Sequence, residues 1–139
     1  MTKIKKFWIA LITAILCLAT FAFAGCNKGG GNTDGGDVFD DTTGYVFVIE
    51  DQDGNPLSGY KVQLCYDGGC YAHSDASNAQ GKLQAKLGNT ATPGAYEIHL
   101  VYGTNYGTLI SFTSAEASQN NGKYYTPLQY CTITLVVTL

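Results

Sequence analysis

The chain reads as all-β: one antiparallel sandwich of seven short strands behind an apolar leader and a glycine-rich tether. Three observations predict this. Between Gly44 and Leu139, runs rich in Val, Ile, Thr and Tyr alternate apolar and polar residues with a period of two, as half-buried strands do. Clusters of Gly, Asn, Asp and Pro separate the runs, which is turn chemistry. No stretch carries apolar residues at helical spacing, and "SAEASQ", Ser114 to Gln119, has room for one helical turn at most. The 96 residues from Gly44 to Leu139 suffice for one small core and are too few for two.

The first element is the leader. Met1 to Lys6 carry Lys3, Lys5 and Lys6, and "FWIALITAILCLATFAFA" then runs without a charge to Gly25 and Cys26. A basic start, an apolar core and small residues before a cut are the layout of a signal peptide; a membrane-spanning helix would be equally apolar. "FAGCNKGGG" sets a cysteine behind Ala24 and Gly25 and follows it with glycines, and in this it resembles a bacterial lipobox, with Phe23 where Leu is commoner. The resemblance implies that residues 1–25 are removed and that Cys26 is acylated. Membrane lipid is then a partner, and the chain sits on the extracytoplasmic face of a bacterial cell membrane. Stable anchoring needs two or more acyl chains, since one binds a bilayer only marginally.

Cleavage would leave five lysines against all eleven Asp and Glu, a balance of −6, with no arginine anywhere. So acidic a chain repels phosphate backbones and offers no guanidinium to bases, which argues against nucleic acid as a partner. The next element, residues 26–43, begins at Cys26 and continues as "NKGGGNTDGGDVFDDTT", which has little to bury and reads as a tether. A flexible coil of its length reaches roughly 20–25 Å. Val38 and Phe39 beginning an edge strand is the competing reading.

The strands follow in order. "GYVFVIED" is β-branched and aromatic and stops at the turn residues "DQDGNPLSG". "YKVQLCY" sets Tyr60, Val62, Leu64 and Tyr66 against Lys61, Gln63 and Cys65. Asp67 and Gly68 mark a hairpin, and "CYAHS" returns. "GKLQAKL" alternates Leu83, Ala85 and Leu87 with three polar residues; "GAYEIHLVY" alternates Tyr96, Ile98 and Leu100 with Glu97 and His99. "YGTLISF" and "CTITLVVTL" complete the seven.

The ordered turns carry a resemblance. "GYVFVIEDQDGNPLSGYKVQL", "SNAQGKLQAKL" and "PGAYEIHLVYG" resemble the prealbumin-like (transthyretin-like) Greek-key sandwiches of bacterial surface proteins, among them collagen-adhesin B-type and carboxypeptidase regulatory-like domains. Asp51 to Pro56, Gly59, Asn78 to Gly81 and Pro93 to Tyr96 fill the family's turn positions, with Ser77 where Thr is frequent. The resemblance implies a Greek-key domain over residues 44–139, adhesive or structural and without catalysis or cofactor. Some collagen-adhesin members close a Lys-to-Asn or Lys-to-Asp isopeptide bond. Here Gly44 to Asp51 has no lysine and Thr132 to Leu139 no Asn or Asp, so no such bond is expected.

Cys65 and Cys70 flank the Asp67-Gly68 turn in "LCYDGGCYAH". Outside the cytosol an oxidised pair is permitted, and hairpin partners come close enough to bridge. A disulfide is favoured over two buried thiols or a metal site, because the further ligands, Cys131, His73 and His99, are scattered over other strands. Cys131 is left over, with a buried apolar role expected. "DQDGN" lacks the bidentate Glu and length of an EF-hand and reads as a turn. His73, Ser74 and Asp75 are adjacent on a strand and point to alternate faces, which is no triad, and His99 is expected on the solvent face. No catalytic set or metal site is expected.

All ten tyrosines lie in the domain; Tyr102, Tyr106, Tyr124, Tyr125 and Tyr130 fall beside strand ends or in "TSAEASQNNGKYYTPLQY". Capping of the sandwich ends is the favoured reading. The alternatives are anchors for a surface protein or stacking platforms for a glycan. The sequence therefore predicts a non-catalytic binding, adhesive or accessory module, or alternatively a carbohydrate-binding module serving a glycan-uptake or cell-wall system.

Overall fold

Nine strands run through residues 37–88 and 92–139, which are the residues the computed structural model describes. They are β1 (Tyr45–Asp51), β2 (Tyr60–Tyr66), β3 (Gly69–His73), β4 (Lys82–Ala85), β5 (Glu97–Tyr102), β6 (Phe112–Thr113), β7 (Ser118–Asn120), β8 (Lys123–Tyr125) and β9 (Thr132–Val137). No helix occurs among the described residues. The leader, Cys26 and the tether up to residue 36 lie outside them.

The strands form two sheets, ordered β4-β1-β9-β6 and β3-β2-β5-β8-β7. Alternation decides which side chains meet between them. Phe47 and Ile49 of β1 and Ile133 and Leu135 of β9 come from the first sheet; Val62 and Leu64 of β2 and Ile98 and Leu100 of β5 come from the second. All are buried apolar side chains, so the architecture is sheet on sheet around one core.

Two features differ from the expected seven antiparallel strands. The chain from residue 103 to 131 contributes three short strands in place of one longer one, giving nine in the described residues. Of "YGTLISF" only Phe112 joins a strand: Leu109 is exposed, and Ile110 is held by one bond from its N–H to the Leu100 carbonyl, 2.7 Å. The second difference is that β1 and β9 are parallel, with Phe47 opposite Ile133 and Ile49 opposite Leu135. All the intervening strands supply the long crossover that parallel neighbours need, and the register sets the largest apolar groups of both strands side by side.

Loops are tied down by a few buried polar groups. The Tyr45 ring is fully buried, and its hydroxyl donates to the Pro127 carbonyl and accepts from the Gly94 N–H. Burial pushes this phenol above its ordinary range, against the hydrogen bonds that lower it. Thr126, also buried, accepts from the Tyr96 N–H at 2.9 Å and donates to the Gly94 carbonyl at 2.6 Å. Ahead of β1, Asp40 and Gln84 exchange two hydrogen bonds, and Thr132 donates to Asp41, which lays residues 40 and 41 along the first sheet.

Candidate functional site

The β2–β3 hairpin turns through Asp67 and Gly68, both in the left-handed region (φ 49° and 78°), as a type I′ Asp-Gly turn requires. That turn pairs Tyr66 with Gly69 and makes Cys65 and Cys70 the next, narrow pair, and the structure joins them in a disulfide. Beyond it the register shifts so that Leu64 faces Ala72, leaving Tyr71 as the extra residue of a bulge. Closing so short a loop contributes about 2 kcal/mol or less to stability.

What lies beside the disulfide was not legible in the sequence. The β2–β5 ladder puts Cys65 opposite Glu97 and Gln63 opposite His99, so all four side chains stand on the outer face of the five-stranded sheet. His99 does lie on that face, but it is only 22 % exposed, and its Nδ1 is 3.4 Å from Cys65 Sγ. Its Nε2 is 2.9 Å from Glu97 Oε1, and Lys123 Nζ reaches the same carboxylate at 3.1 Å. Burial raises the Glu97 pKa, but hydrogen bonds from His99 and Lys123 outweigh it and hold the carboxyl below the ordinary range. Since the carboxylate can only accept, Nε2 carries a proton. Nδ1 therefore turns a lone pair to the sulfur in the neutral imidazole and an N–H in the imidazolium. The two sulfurs and the imidazole lie within 4.8 Å of one another, but with the sulfurs joined there is no thiolate to hold a cation. A reader of the sequence had one signal: Cys65 and His99 share the polar phase of their strands. The register that unites them is long-range.

The same face continues in both directions. Gln63 donates to His73 Nδ1 at 3.2 Å, and the Lys61 ammonium lies 5.6 Å from the centre of the Tyr106 ring and 3.3 Å from its hydroxyl. This cover explains why Gln63 and Cys65, in the polar phase of β2, are buried. Between β5 and β8 the sheet opens into a cleft of about 220 Å³. Glu97, His99 and Lys123 line it together with Leu109, Phe112 and Tyr124.

The five singled-out tyrosines divide. Tyr130 packs edge-on against Tyr45 with ring centres 5.0 Å apart, and Tyr124 lies 5.1 Å from Phe112; both rest against the core. Tyr102 is 57 % exposed and leans on Tyr60 at one end of the sandwich. Tyr106 lies over the outer face, and Tyr125 faces Glu97 across the β5–β8 ladder. They do not form one site.

The other candidates resolve simply. Asp51 accepts from the Asn55 side chain and from the backbone of Asp53 and Asn55, which holds its carboxyl low and makes "DQDGN" a self-capped turn. Ser74 turns inward to accept from the Val62 N–H, away from His73. Cys131 is buried, as expected, but its sulfur is not free, where a left-over thiol was expected. No family model matches the chain, and no curated protein or solved structure matches it either.

Proposed function

We propose that the chain is an extracytoplasmic lipoprotein, acylated at Cys26, whose prealbumin-like Greek-key sandwich is a non-catalytic binding module for a surface protein or glycan. The layout of residues 1–26 and the ordered turns from Asp51 to Tyr96 support the anchor and the fold family. One observation carries the binding reading: the β5–β8 cleft, which brings an acid, an imidazole and an ammonium together with Leu109, Phe112 and Tyr124. Apolar walls with a few convergent polar groups are what small ligand sites are made of.

A glycan is the alternative occupant, favoured by the Tyr124 ring beside hydrogen-bonding groups. The test is retention of the full chain on purified wall polysaccharides and on extracted surface proteins, with Lys123→Ala and Tyr124→Ala alongside. Retention lost in Lys123→Ala, with thermal stability unchanged, is the expected result. Retention indifferent to both substitutions would sink the cleft as the site.

A further inference from the structure

The disulfide on the outer face differs from a purely structural one in three respects. It closes a very short loop in a hairpin already fixed by an Asp-Gly turn and by the β2–β5 ladder, so its loss leaves the fold's contacts in place. Its two sulfurs are unequal: Cys65 is 5 % exposed on β2, which has a neighbour on each side, whereas Cys70 is exposed on the edge strand β3. Finally, an imidazole touches the buried sulfur and is itself held by a carboxylate and an ammonium. Exposed disulfides with a stabilised leaving sulfur are the exchangeable ones.

We propose that Cys65–Cys70 is a thiol–disulfide exchange site, in which an external thiol attacks Cys70 and Cys65 leaves as a thiolate received by His99. The co-reactant is a thiol, on a small molecule or on a protein cysteine. Its thiolate attacks Cys70 Sγ, a new S–S bond forms there, and the electron pair of the broken bond goes to Cys65 Sγ. The proton given up by the attacking thiol is taken up by the Cys65–His99 pair, as thiol and imidazole or as thiolate and imidazolium, while Glu97 keeps the ring turned toward the sulfur. A second thiol attacks the external sulfur of the mixed disulfide, releasing Cys70 and a symmetrical disulfide. Two thiols are oxidised and one protein disulfide is reduced.

His99 favours this direction for a simple reason. In the oxidised state Nδ1 of the neutral ring meets a sulfur that has no proton to give; in the reduced state Cys65 supplies one, and a hydrogen bond or ion pair forms. A hydrogen bond or ion pair that only the reduced state can make at this contact makes the disulfide a better oxidant. The groups facing His99 are Glu97 on its own strand, Lys123 on β8 and the Cys65 sulfur on β2; its ladder partner Gln63 is neutral and engaged with His73 of β3. The proposal does not rest on the binding reading of the cleft.

The test is reaction of the full chain in detergent with reduced glutathione, followed by alkylation and peptide mapping, which reads Cys65 and Cys70 apart from the other cysteines. The expected first adduct is on Cys70, with Cys65 alkylated. His99→Gln slows the reaction roughly tenfold, with a similar change in the reduction equilibrium, ~30 mV for a two-electron couple. Glu97→Gln, which only loosens the ring, lies between. A glutathione adduct on Cys65, measurable without any variant, overturns the proposal, as does a His99→Gln protein with the wild-type rate and reduction equilibrium.

Discussion

Glu97 is the residue on which the outer face turns. It is 23 % exposed, opposite Tyr125 and Cys65 across its two neighbouring strands, and it accepts hydrogen bonds from both His99 and Lys123. Because those two donors outweigh burial, its carboxyl titrates lower in the folded chain than in the unfolded one. A group of that sign contributes stability that is complete above the unfolded value and disappears as pH falls through the folded value. Acid should therefore destabilise the wild type more than Glu97→Gln. The expected outcome is a smaller drop in melting temperature for the variant between neutral pH and the acid side of the glutamate range. Superimposable acid limbs would mean that the carboxylate contributes nothing. The exposed Asp40 and Asp51, also held low by their hydrogen bonds, remain in both proteins and cancel from the comparison.

At the scale of elements, the entry to β4 shows how tightly one position is set. Gly81 sits at φ +71°, where a Cβ would collide with the Ile49 carbonyl oxygen and crowd Leu57 and Pro56. Its own carbonyl accepts from the Ile49 N–H at 2.7 Å, so the residue cannot swing away without breaking the junction of β4 with β1. Gly81→Ala is expected to cost about 1–3 kcal/mol in left-handed strain alone. The reading is a lower urea midpoint at unchanged slope, and an unchanged midpoint would contradict it.

Such junctions also explain which elements could be read from the sequence. β2 falls on the run Tyr60 to Tyr66, whose apolar and polar residues alternate; β9 alternates in burial as well, as one buried face requires; and β1 lies where β-branched and aromatic composition predicts it. The β7–β8 hairpin was legible in principle, since Asn121-Gly122 is the strongest two-residue hairpin signal and both residues have positive φ. Its strands are too short and too exposed to show alternation. The parallel β1–β9 pair and the contact of His99 with Cys65 depend on which strands become neighbours. No local pattern encodes that.

For the whole molecule, the anchor proposed at Cys26 decides where the sandwich works. Protein extracted from membranes is expected to have the mass of a chain that starts at an acylated Cys26, and the mass of an unmodified chain would sink the lipoprotein reading. Such an anchor would hold the sandwich from the β1 side. There the parallel pairing of β1 with β9, six register pairs from Val46–Thr132 to Asp51–Val137, acquires a mechanical meaning. Tension between the Tyr45 end of β1 and the Val137 end of β9 pulls the two strands past each other along their length. The ladder is then sheared, with all its bonds loaded at once, where a hairpin pulled from its open end would peel one bond at a time.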